Sequence, residues 1–177
     1  MTSGEHSDAG GADAAGRGIP DLVAEAVETL RAAGARDEGL GRELAPRRFL
    51  GVRGRPRIAR VGRVWRLGVL LLAPDGALYA TGSTLRARDE VRRGYTAESA
   101  RARAEQGAAA RRGGFAEGDS VNIGWRVLDA NHPDGRILRV QGGVPQVRWN
   151  PRDPSAWSGL APYLRERIEL LLADSGA

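Results

Sequence analysis

At 177 residues and 41% hydrophobic content the chain can bury one sizeable core, and without cysteine it can form no disulfide framework, thiolate zinc site or cysteine nucleophile. Its 27 basic residues are all arginine, set against 22 acids for a net charge of +5, so lysine-dependent chemistry is excluded as well. Ala, Gly, Arg and Pro make up 89 of the 177 residues, the bias of a GC-rich coding sequence, which accounts for arginine over lysine but not for where the arginines stand.

Residues 1–19 are built mainly from Gly, Ala, Ser and Asp and cannot bury enough surface to offset ordering, so they are predicted to be a disordered tail. They lack the basic and apolar regions of a secretory signal, and the longest strongly apolar run, Val69 to Ala73, is far too short for a bilayer. A soluble, cytoplasmic protein with no membrane partner is expected. Residues 20–45 form a short helix and a linker in this reading. Pro20 suits a first turn, Leu22, Val23, Ala26, Val27 and Leu30 recur at helical spacing, and Gly34 supplies a stop before the glycines of 35–46.

Residues 46–173 are predicted to be the α+β domain. Strands are expected at Ile58–Val61, at Val64–Leu72, near Leu78–Thr84 after the Pro74-Asp75-Gly76 turn, at Ser120–Leu128, Arg136–Val140 and Val144–Trp149. Val64–Leu72 is apolar on both faces in its second half, the mark of an interior strand covered on each side. A helix from Thr96 to Arg112 lines up Ala97, Ala100, Ala104 and Ala108 and stops at Gly113-Gly114, and a last helix spans roughly Pro162–Ala173. The sum is a single domain: one mixed, mostly antiparallel sheet with helices packed on it.

Charge is segregated along this frame. Residues 1–43 carry a net of −5, residues 44–74 carry +8 with no acid at all, and residues 75–177 carry +2. The acid-free window holds Arg47, Arg48, Arg53, Arg55, Arg57, Arg60, Arg63 and Arg66, whose charge must meet water, an internal acidic partner or an anionic ligand. Arg47, Arg48, Arg53, Arg55 and Arg57 precede the strand pattern and are the candidate anion-binding residues, since the guanidinium fork matches phosphate oxygens in pairs. Arg60, Arg63 and Arg66 are assigned to a strand surface. The acidic arm could lie against the basic segment by near contact, in which case deleting residues 1–43 should raise affinity for polyanions.

Catalytic and cofactor patterns are thin. Gly118-Asp119-Ser120-Val121 resembles the nucleophile block of GDSL-type hydrolases, and Asp129-Ala130-Asn131-His132 their Asp-x-x-His pair. In that family the two blocks stand at opposite ends of the domain, whereas here only nine positions and one predicted strand separate Ser120 from Asp129, so both motifs read as turns flanking it. With two histidines and no clustered carboxylates no metal site is expected, and no phosphate loop or other cofactor motif is present.

Arg47-Arg48-Phe49-Leu50-Gly51, Leu67-Gly68-Val69-Leu70-Leu71-Leu72, Ala80-Thr81-Gly82, Arg86-Ala87-Arg88, Ala97-Glu98-Ser99, Gly113-Gly114-Phe115-Ala116-Glu117-Gly118 and Gly124-Trp125 resemble stretches of an uncharacterised family of short actinobacterial proteins, some of which carry the label glutaminase. The resemblance covers about residues 46–172. It implies a serine-dependent amidohydrolase with a Ser-x-x-Lys nucleophile, and this chain supplies no lysine; Glu98, Ser99 and Asp129 are the groups an enzyme would have to assemble across the fold. Three readings stand side by side: a domain binding nucleic acid or a phosphate-bearing ligand through the arginine segment, a glutaminase-type amidohydrolase, and an interaction module docking an acidic protein surface.

Overall fold

The computed structural model describes residues 16–45, 48–49, 52–89 and 98–175. Three helices are present among them: α1 (Ile19–Ala32), α2 (Glu98–Arg112) and α3 (Leu160–Ser175). The strands are β1 (Glu38–Leu44), β2 (Arg48–Phe49), β3 (Val52–Arg53), β4 (Arg57–Leu67), β5 (Leu70–Leu72), β6 (Leu78–Ala80), β7 (Ser83–Arg86), β8 (Ser120–Ile123), β9 (Arg126–Leu128), β10 (Leu138–Gln141), β11 (Val144–Arg148) and β12 (Trp157–Gly159). The fold is α+β, as the sequence pattern implies. Most of the predicted tail lies outside the described residues, as do Thr96 and Ala97 of the predicted α2 start.

The strands are divided among three sheets rather than one. A mixed sheet of seven runs β7-β8-β1-β4-β5-β6-β9, a second joins β10-β11-β12, and β2 and β3 form a small hairpin. The large sheet curls into a ring. Leu78↔Leu128 to Ala80↔Arg126 and Ser83↔Ile123 to Arg86↔Ser120 keep one register, so β6–β7 and β9–β8 are halves of one long antiparallel pairing. Because β6 also pairs β5 and β8 pairs β1 in parallel, the circuit closes through β4.

Residues 35–46, expected as a linker, thus contain β1, which pairs with both β4 and β8. Residues 16–43 are correspondingly part of the fold. In α1, Pro20 occupies the first turn, Asp21 accepts the Gly18 N–H at 2.9 Å, and Leu22, Val23, Ala26, Val27 and Leu30 are all buried. Each such Leu or Val contributes roughly 1.5–3 kcal/mol by leaving water, so removing this helix along with the acidic arm would unfold the chain. A deletion of 1–43 therefore cannot report on polyanion affinity.

Val64–Leu72 is a hairpin, not one interior strand. The chain reverses at Gly68, whose φ of +62° disfavours any side chain, and Leu67 faces Leu70 across the turn. The buried Tyr163 hydroxyl fills the space a Cβ at Gly68 would need; it donates to the Leu67 carbonyl at 3.1 Å and accepts the Val69 N–H at 2.9 Å. Burial raises the Tyr163 pKa above its ordinary value, keeping the proton on this clamp. The reversal sends Trp65, Leu67, Leu70 and Leu72 to a core shared with α1 and α3, and Val64 and Leu71 to the ring interior with Leu40 and Ala73.

On the same outer side α2 packs against β4 and β7. Gly113 lies so close to the Ile58 carbonyl that a Cβ there would collide with it, and Ala109, Ala110 and Phe115 join Ile58, Val121 and Ile123 in a second core. No described helix is long and apolar enough to cross a membrane.

Candidate anion-binding site

Four of the five predicted anion-binding arginines fall on the hairpin, the connection that follows it and the start of β4. Arg47 lies outside the described residues. Arg48 in β2 and Arg53 in β3 are register partners, Arg55 is exposed in the connection to β4, and Arg57 is exposed at its first position, opposite Leu44 of β1. Among the described residues no carboxylate forms an ion pair with Arg57.

The three arginines farther along β4 are not simple strand surface. From Gly41↔Arg60 to Leu40↔Gly62 the register slips by one, leaving Val61 as the extra residue of a bulge. Without it the odd spacing would put Arg60 and Arg63 on opposite faces; with it they line one cleft. Arg60 stacks 4.5 Å above the Phe115 ring and donates to Asp119 Oδ2 at 2.7 Å, an oxygen that also accepts the Ala116 N–H. Arg63 donates Nε and Nη2 to Asp37 Oδ1 at 2.8 and 2.5 Å. The cleft, about 680 Å³, also takes in Arg36, Glu38, Arg86, Ser120 and Asp174. Its cations and carboxylates balance.

Arg66, an odd step beyond Arg63, turns into the ring. Its Nη1 donates to Thr84 Oγ1 and to Asn122 Oδ1, both at 2.6 Å. Asn122, fully shielded from water, passes the chain on by donating Nδ2 to Glu38 Oε2 at 2.7 Å and to the Gly39 carbonyl at 3.3 Å. A basic residue of the window and an acid of the N-terminal block are thereby joined through one buried amide. Each member is satisfied, the condition under which a polar group inside a core is tolerated.

The hydrolase-like motifs are not brought together. Ser120 opens β8, and β8 and β9 carry the chain away for eight residues, roughly 25 Å of extended strand, before Asp129. His132 is 87% exposed with Nδ1 3.1 Å from Asp129 Oδ2, while Asp129 Oδ1 accepts the N–H groups of Asn131 and His132. The Asn131 N–H and the His132 ring hold the Asp129 carboxyl below its ordinary pKa, which is the behaviour of a turn cap and not of a proton acceptor. Glu98 and Ser99 are exposed in the first turn of α2, where the Ser99 carbonyl accepts Arg103 Nε at 3.3 Å. Among the described residues no group of three His, Asp or Glu is placed to hold a metal ion.

No protein-family model, curated protein or solved structure matches the chain. Its site therefore has to be argued from its own geometry. Sequence reasoning passed over Asp37, Phe115, Asp119 and Asn122, the groups that decide which arginines stay free. Asp119 carried a visible signal, a Gly-Asp turn before a strand, but its partner stands 59 positions earlier.

Proposed function

We propose that this protein binds a polyanion, a nucleic acid or another phosphate-bearing partner, through the arginines of residues 47–57. The observation that carries the reading is the division of the acid-free window by the fold. Arg60, Arg63 and Arg66 meet acceptors within the protein, whereas Arg57 is exposed with no carboxylate on it among the described residues, and it follows a hairpin that sets Arg48 and Arg53 in register. Guanidinium groups brought together along one segment can neutralise successive phosphates, releasing condensed counterions as they do so.

The test is titration of single-stranded RNA and duplex DNA at two salt concentrations, with the wild-type protein and with Arg47, Arg48, Arg53, Arg55 and Arg57 changed to alanine. The wild type is expected to bind with a steep salt dependence, and the variant to lose slope by about 0.7–0.9 for each phosphate contact removed. Absence of binding at low salt, or a slope the substitutions leave unchanged, overturns the proposal.

A further inference from the structure

A second group of arginines lies in a groove of about 460 Å³ between α2 and β7, lined by Thr84, Arg86, Arg88, Arg103 and Gln106 among others. Its charge is not balanced as in the cleft. The one carboxylate in the lining, Asp89, is taken by Arg111 Nε at 2.7 Å, a hydrogen bond that in turn raises the Arg111 pKa. Arg86 Nη1 donates to the Gly118 carbonyl at 3.0 Å and Arg103 Nε to the Ser99 carbonyl, neutral acceptors that orient the guanidinium groups without cancelling their charge. Among the described residues the Arg88 guanidinium has no hydrogen-bond or ion-pair partner, and Arg88 and Arg103 are both exposed, so a bound anion would offset the repulsion between them.

The backbone fixes this arrangement. Arg86 and Arg88 stand two apart, so an extended chain projects them to one side while Ala87 between them is buried under α2. The Arg88 N–H is tied to the Gly107 carbonyl at 3.2 Å, which binds the end of β7 to the middle of α2. Gln106 adds a neutral polar group to the wall.

We propose that this groove is a binding site for a small phosphate ester of up to nucleotide size, its phosphate oxygens held by Arg88 and Arg103, with Arg86 standing at the border the groove shares with the cleft. Arginines lining one volume from two elements match the charge of a phosphoryl group, and the volume falls within the range of small-molecule sites. Walls on two sides favour a compact ester over a continuous nucleic-acid strand. The site is separate from residues 47–57 and does not rest on the polyanion reading.

Inorganic pyrophosphate and a nucleoside monophosphate are the probes, titrated calorimetrically into the wild type, into an Arg88→Ala/Arg103→Ala variant, and into an Arg53→Ala/Arg55→Ala/Arg57→Ala variant. Arg88, Arg103, Arg55 and Arg57 lie on exposed positions, and circular dichroism verifies that each variant is folded. Binding to the wild type, weakened about tenfold or more by the first variant and kept within about twofold by the second, supports the site. No binding of either probe at low salt overturns it, as does equal weakening by the two variants or binding that responds only to RNA.

Discussion

The cleft over β1 and β4 and the groove beside β7 are both rich in arginine, and they hold opposite electrostatic balances. In the cleft, Arg60 and Arg63 come from the segment with no acid for 31 residues, yet each ends on a carboxylate, Asp119 or Asp37. In the groove, Arg88 and Arg103 come from a region whose net charge is only +2, yet the one carboxylate in the lining, Asp89, is already engaged by Arg111. Charge segregation along a chain and charge segregation in space are different quantities, and the fold converts one into the other. What makes the conversion is a closed ring, which puts residues 26, 56 and 59 positions apart within one hydrogen bond of each other.

The comparison breaks most severely at the place where the two arginine regions touch, the amide of Asn122. Asn122→Ala leaves Arg66 without its buried acceptor and Glu38 without its donor while the backbone of β8 stays as it is. The expected loss is about 2 kcal/mol, read from urea unfolding, because a fully buried amide is removed and two half-buried charges lose the group they share, Arg66 keeping Thr84 Oγ1. A loss under about 1 kcal/mol would mean water reaches the network freely and the ring interior is wet at that end.

How much of this was legible in the sequence follows from what each feature depends on. The stripe of α1, the alanine-rich end of α2 and the turns at Gly34, Gly114 and Gly142-Gly143 are local, and the residues announce them. β1 was hidden because Glu38–Leu44 has little apolar alternation: Gly39 and Gly41 are small so that Phe115, Ile58 and Val121 can approach, a demand set by neighbours distant in sequence. The hairpin at Gly68 was hidden by an unbroken apolar run that serves two cores in turn. Hardest to see was the bulge at Val61. One unpaired residue decides that Arg60 and Arg63 share a face, and no propensity rule places it.

Outside both regions, Asp134 shows what a fully committed carboxylate does and gives the comparison a pH axis. Burial pushes its pKa up, but Arg126 Nη1 at 2.5 Å and the N–H groups of Arg136 and Ile137 outweigh that and hold it at about 2. A carboxyl depressed in the folded state contributes stability above its unfolded pKa of about 3.9 and loses it as pH falls through its folded value. Asp134→Asn is therefore expected to cost about 1 kcal/mol at pH 7, below what the shift alone implies because the side chain is 28% exposed. The gap between variant and wild type should close between about pH 4 and pH 2. A gap that stays constant through that window would assign the effect to packing rather than to the charge.

The smallest effect on stability belongs to the pair that best separates the cleft from the rest of the basic surface. Arg63 keeps 65% of its side chain in water while resting on Asp37, so Asp37→Asn should cost only about 0.5 kcal/mol. Its effect on binding has a definite sign. Asp37 belongs to the acidic N-terminal block, and neutralising it frees Arg63 without removing α1 or β1, which is the intact-fold version of cutting the acidic arm away. If the polyanion surface reaches from residues 47–57 along β4 into the cleft, the variant binds RNA about twofold more tightly and its salt slope steepens by up to about one. If the slope is unchanged, Arg63 stands outside the interface, and the bulge at Val61 marks the border where arginine stops serving a partner and begins serving the fold.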